Sequence, residues 1–429
     1  MTADFMTKTG KAVSRRDLLR FGAVGLIGCS LAASPLVTPV TFASAPWENR
    51  LVVIILRGAM DGVDVLRPVG DRHFAALRGA AGQDGARLGN GFFAMHPALA
   101  PLAPLWSAGE LGFAHAVSTP YRDKRSHFDG QDVLEAGTDM DAFGRVRDGW
   151  LNRLLQSVPG TEAQTGFAIG RGDLRVLAGA APVANWAPDT ALTMDPQSFD
   201  LAELIMHDDP LFRDALYEAA ELSGNDLTML MESGAAADEG AGFGGTDAGA
   251  MLSQMQEQMR GARAGTGHVE LAAFAASRLT GASRIAAFSL GGWDTHAHQA
   301  RRIAAPMTRL ADCIATLKDG LGPVWGKTCV LAMTEFGRTV RLNGSGGTDH
   351  GTGGAMVLAG GALRGGQVWA DWPGLEDSDL YARRDLMPTR DVRAIAAWAM
   401  RGLFGVDRSP LETAVFPGLD MGRDLRLLR

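Results

Sequence analysis

Asp294, His296 and His298 fall within five positions of the stretch GGWDTHAHQ, residues 291–299. Carboxylate and imidazole are the side chains that bind divalent ions or move protons near neutral pH. Similar groupings recur along the chain. RGAMDGVD supplies Arg57, Asp61 and Asp64, and STPYRDKRSHFDGQD supplies Arg122, Asp123, Arg125, Ser126, His127, Asp129 and Asp132. Thr334-Glu335-Phe336-Gly337-Arg338 and Gly347-Thr348-Asp349-His350-Gly351 complete the set. Asp294 and His298 stand four apart, so a helix starting at Asp294 would present both on one face and let them share a metal. The local alternative is an Asp that caps a helix beside an exposed His. Recurrence of acids and histidines in five separate segments favours a site, with His296 either a ligand or a partner of one.

The elements that must position these groups are read from apolar runs. Residues 51–56, 111–117, 284–290, 328–333 and 355–358 are continuous rather than alternating in apolar character. Such runs suit strands buried on both faces, as in a parallel sheet covered by helices. Ile303, Met307, Leu310, Ile314 and Leu317 recur at helical spacing between the third and fourth runs. Strand, helix and strand in this succession predict an α/β fold with helices on both faces. Ligands of such sheets gather at the carboxyl ends of the strands. Four of the polar groupings follow a strand, and the fifth precedes one. His115 lies at the end of the second run.

The bulk numbers bound the rest. The chain has 429 residues, 46% hydrophobic and 21% charged, enough for a large core. A net charge of −7 and 7% aromatic content give no electrostatic case for nucleic acid. Residues 1–43 read as a twin-arginine export signal: Arg15-Arg16 precedes a weakly apolar stretch, and Thr41-Phe42-Ala43 offers a cleavage site. That predicts passage through the twin-arginine translocase into the periplasm or beyond, with residues 44–429 as one mature domain. The apolar stretch is too short and too rich in Gly, Ala and Ser for a membrane span. Leu26-Ile27-Gly28-Cys29 also resembles a lipobox, and lipidation of Cys29 is the one route to a membrane anchor. Residues 233–249 are Gly/Ala-rich and acidic and read as a mobile loop inside the domain. Cys313 and Cys329 read as two buried thiols rather than a disulfide.

The motifs LRGAMDG, HPAL (residues 96–99), RSHFDGQDVLEAGT, GGWDTHAHQ, TEFGRT and GTDHGTGG, in this order, resemble the DUF1501 family of secreted twin-arginine proteins. That family resembles the alkaline phosphatase and sulfatase superfamily. The resemblance implies a three-layer α/β/α sandwich with a mostly parallel central sheet. It implies hydrolysis of phosphate or sulfate esters, of small molecules or polymers, at a one- or two-metal centre. Asp294, His298 and His350 match one metal site, for which zinc is the expected ion. Asp61 and Glu335 match a second, which lacks a histidine because Phe336 stands in its place. Ser126 is the matching nucleophile, with His127 or a metal to take its proton; its alternative role is a helix N-cap. No Cys-x-Pro-x-Arg is present, which excludes a formylglycine sulfatase. Arg57, Arg122, Arg125 and Arg338 suit a tetrahedral oxyanion, Arg338 foremost because it closely follows Glu335. The competing expectation is a non-catalytic envelope protein that binds a metal and a ligand or partner.

Overall fold

The computed structural model describes residues 40–44, 47–157, 174–186 and 267–429, apart from 80, 81, 83, 143, 182 and 282. Residues 1–39 of the export segment, Cys29 among them, and the 233–249 stretch lie outside the described residues. The strands in chain order are β1 (Val40–Ser44), β2 (Arg50–Leu56), β3 (Leu66–Arg67), β4 (Ala86–Leu88), β5 (Phe93–Met95) and β6 (Leu111–Ser118). They continue with β7 (Ala184–Trp186), β8 (Ser283–Leu290), β9 (Thr328–Met333), β10 (Gly354–Ala359), β11 (Val368–Trp369) and β12 (Arg390–Asp391). The main sheet has the order β11-β6-β10-β9-β2-β8-β1-β7, with β12 also beside β6, and β3, β5 and β4 form a small second sheet. All five apolar runs are therefore strands of one sheet.

At its centre β2 lies parallel to both β8 and β9. β10 runs antiparallel to β9 and β6, and β1 runs antiparallel to β8 and β7. The sheet is thus mostly parallel, with two reversed strands. The reversal of β10 has a consequence for chemistry. Its amino end lies at the same edge as the carboxyl ends of β2, β6, β8 and β9. The one polar grouping that precedes its strand is thereby brought to the groupings that follow theirs.

Helices cover both faces. Those used below are α1 (His127–Ala136), α2 (Trp150–Gln156), α3 (Gly267–Thr280), α4 (Gln299–Arg302), α5 (Ala304–Leu321) and α6 (Val392–Phe404). Alternate residues of a strand point to opposite faces. Leu51, Val53 and Ile55 pack with α2 and α6, whereas Val52, Ile54 and Leu56 pack with α3 and α5. All six are fully buried, each contributing roughly 1.5–3 kcal/mol. That two-sided burial is why β2 reads as an unbroken apolar run. Cys313 and Cys329 are buried free thiols, and burial pushes the Cys329 thiol up to about 12.

His115 belongs to this core rather than to the chemistry. The β6–β10 register shifts beside it, leaving Ala116 out of the ladder with φ 56°. The Ala116 N–H donates instead to His115 Nδ1 at 2.7 Å. On the other side of the ring, Nε2 donates to the carbonyls of Gly62 and Leu66 at 3.1 and 3.0 Å. A proton added to Nδ1 would face an N–H, and the ring is fully buried, so burial drives His115 down to about 4. The unfolded chain then binds more protons between about pH 4 and the ordinary histidine range. Stability should therefore be fully present above about pH 6.5 and fall as the pH drops toward 4, by on the order of 3 kcal/mol from this group. Urea unfolding across that range should show a steeper acid loss in the unaltered protein than in His115→Gln. Equal slopes would contradict this assignment.

Candidate metal centre

The carboxyl edge of the sheet brings four segments to one point. After β8 no helix forms through Gly291–Thr295, and Trp293 is buried as an anchor. Its neighbour Asp294 is half-exposed, and its Oδ1 is the meeting point. Arg338 Nη1 donates to that oxygen at 3.0 Å. His296 Nε2 lies 3.0 Å away, His350 Nε2 3.3 Å and His127 Nε2 3.6 Å. Burial alone would raise the Asp294 carboxyl, but His127, His350 and Arg338 outweigh it and hold the group well below the usual carboxylate range.

Each histidine is aimed by a partner on its other nitrogen. Glu335 Oε1 accepts from His127 Nδ1 at 2.8 Å, so Nε2 faces Asp294. The carbonyl of Arg125 accepts from His350 Nδ1 at 2.9 Å. Asp349 holds His296 Nδ1 at 3.3 Å. Phe336 stacks on His127 with ring centroids 5.3 Å apart and lies tilted against His350 at 5.2 Å, forming an apolar wall. Asp294 first, and then Glu335, push His127 up to about 9. Glu335 is fully buried; burial would raise it, yet the hydrogen bonds from His127, Gly58 N–H and Gln131 keep it below the usual range.

Two glycines let these loops touch backbone to backbone. Gly58, at φ +117°, packs so closely that a Cβ would stand 2.6 Å from the Asp294 amide nitrogen. At Gly347 a Cβ would stand 2.2 Å from the His296 carbonyl carbon. Any larger residue would push apart the segments that carry Asp294, His296 and His350.

Among the described residues, His127, Asp294 and His350 each offer a ligand atom within 4.8 Å of the others, as one ion requires. His127 Nε2 is also a buried nitrogen with no hydrogen-bond partner, and 3.6 Å from Asp294 is too long to supply one. An orphaned imidazole nitrogen beside an ionised carboxylate and a second imidazole fits a divalent cation. The family model described as "Protein of unknown function (DUF1501)" matches residues 112–409, about two thirds of the chain. The chain belongs to the DUF1501 family. No curated protein and no solved structure matches it.

Several residues of this DUF1501 protein stand elsewhere than expected. No helix begins at Asp294, so the helical Asp294–His298 pair does not form. His298 is instead the N-cap of α4, exposed and in a left-handed conformation at φ 52°, and His127 completes the triad. Asp61 is fully buried, with its carboxylate engaged by Arg78 at 2.6 Å and by the Gln299 amide. Glu335 orients His127. The proposed second pair is therefore absorbed by internal partners. Arg338 is completely buried against Asp294, Thr348 and the Gly58 carbonyl, which keeps it from an incoming oxyanion. Ser126 caps α1, its Oγ accepting from Asp129 N–H. Arg57 is paired with Glu135, and Arg122 donates to Ser118 Oγ and to neighbouring carbonyls. Of the four arginines, Arg125 is the exposed one.

An ion bound here must displace the proton that His127 holds up to about 9. Apparent zinc affinity should therefore rise with pH, about tenfold per unit between pH 7 and 8.5, and level off above 9. Competition against a chelator of known affinity measures this. A flat profile over that range would show that His127 is not a ligand.

Proposed function

We propose that this DUF1501 protein is a metal-dependent hydrolase of phosphate or sulfate esters, exported to the cell envelope. The supporting observation is the convergence of His127 Nε2, Asp294 Oδ1 and His350 Nε2, with the His127 nitrogen buried and unpartnered. Two imidazoles and one carboxylate suit zinc better than calcium or magnesium, which prefer all-oxygen shells. Three protein ligands leave a coordination position open, the arrangement of catalytic zinc. An ion held there would act as a Lewis acid toward an ester oxygen and activate a water molecule.

The chain's own residues define the remaining roles. Glu335 keeps the proton of His127 on Nδ1, and the Arg125 carbonyl keeps that of His350 on Nδ1, so both Nε2 atoms face inward. Arg338 neutralises Asp294 from the buried side. Ser126 serves as a helix cap, so water rather than a serine is the nucleophile of this reading. Arg125, exposed and next to the cap, is the guanidinium that this reading assigns to the ester oxyanion. The ester class rests on the resemblance of the DUF1501 motifs to the alkaline phosphatase and sulfatase superfamily.

Metal analysis and turnover of aryl phosphates and aryl sulfates test this directly. His350→Ala should lose both metal and turnover, while Ser126→Ala should keep both. If the metal-loaded protein turns over neither ester class, the hydrolase proposal fails and the non-catalytic metal-binding reading stands. Export is tested separately. Arg15→Lys with Arg16→Lys should hold the protein in the cytoplasm, and normal export of that variant would contradict the twin-arginine route.

A further inference from the structure

Gln299 closes the GGWDTHAHQ stretch and is fully buried, with every hydrogen-bonding position of its side chain in use. Its amide nitrogen donates to Asp61 Oδ2 at 2.5 Å and to Asp64 Oδ2 at 2.9 Å. Its oxygen accepts from the hydroxyls of Thr295 at 3.0 Å and Thr348 at 2.6 Å. Asp61 is in turn held by both terminal nitrogens of buried Arg78, at 2.6 and 3.1 Å. A hydroxyl has one proton to give. Thr348 gives its own to Gln299, which leaves its lone pairs to accept from Arg338 Nε at 2.8 Å. Arg338 then donates to Asp294 Oδ1. An unbroken chain of buried polar contacts thus runs from the Arg78–Asp61 ion pair to the carboxylate at the centre of the site.

We propose that Gln299 is a positioning residue for the metal centre, fixing Asp294 Oδ1 through Thr348 and Arg338. The inference rests on the assignment of His127, Asp294 and His350 as ligands. It also gives Asp61, which follows β2, a role that its pairing with Arg78 leaves open. Asp61 binds no ion itself but anchors the chain that orients a residue which does. A partner one contact removed from a ligand, as Arg338 is, typically changes metal affinity by about 10–100-fold when lost, and Thr348 and Gln299 act through it from two and three contacts away. A purely structural Gln299 would affect stability and leave the affinity of the folded protein unchanged.

Cobalt(II) is the probe, because it takes the same donors as zinc and its visible absorption reports ligand geometry. Thr348→Val replaces the hydroxyl with a methyl of the same shape, Thr348→Ser keeps the hydroxyl, and Gln299→Met removes the amide at constant length. Cobalt affinity, the visible spectrum and the metal-free thermal midpoint would be measured for each. Thr348→Val and Gln299→Met should bind cobalt more weakly, by up to about tenfold, with an altered spectrum, while Thr348→Ser behaves as the unaltered protein. If Gln299→Met fails to fold, the two Thr348 variants carry the comparison. Unchanged affinity and spectrum in Thr348→Val, even with a lowered thermal midpoint, would overturn the positioning role alone. Absence of cobalt binding by the unaltered protein would overturn the ligand assignment, and the positioning role with it.

Discussion

A single carboxylate oxygen, Asp294 Oδ1, is the point on which the site depends. Arg338 and three imidazole nitrogens crowd it within 3.6 Å. Concentrating so many donors on one oxygen requires the carboxylate to remain charged, and the surrounding groups hold it so. It also requires that each donor be held from behind. Glu335 holds His127, the Arg125 carbonyl holds His350, Asp349 holds His296, and Thr348 holds Arg338. Removing the Thr348 hydroxyl would leave the buried Arg338 Nε unpaired, a cost of about 1–3 kcal/mol. The polar interior is therefore a fixed scaffold around the one half-exposed acid.

The sheet makes this crowding geometrically possible. Parallel β2, β6, β8 and β9 deliver the loops after their carboxyl ends to one edge, and reversed β10 delivers His350 from its amino end. The loops then approach closer than side chains normally permit. Glycine at 58 and 347 removes the Cβ atoms that would intervene, and an isolated bridge joins Arg338 to His350. The glycine-rich character of the motifs is thus a packing requirement of the site.

Much of this was legible in the sequence, and the failures have specific causes. Strands buried on both faces leave continuous apolar runs, so β2, β6, β8, β9 and β10 were visible as such. Their directions were not, because a reversed strand buried on both faces has the same composition. β11 and β12, two residues each, leave no run. The groupings of acids and histidines were visible, and Asp294 and His350 stand among the ligand atoms. The choice of His298 followed helical spacing. No helix follows Asp294 directly, and it is His296 rather than His298 that stands beside it. His127 was read as an aid to Ser126. Its place in the candidate triad depends on Glu335, 208 positions away, which no local pattern reports. Gln299 carried no signal of its own, since one amide in a polar stretch is distinguished only by what surrounds it.

The central claim is that His127, Asp294 and His350 hold one ion. Crystals grown with zinc and measured across its absorption edge test it most directly. One anomalous peak should lie about 2.0–2.2 Å from His127 Nε2, His350 Nε2 and an Asp294 oxygen. A peak at His298, a peak between Asp61 and Glu335, or no peak at these three side chains would contradict it.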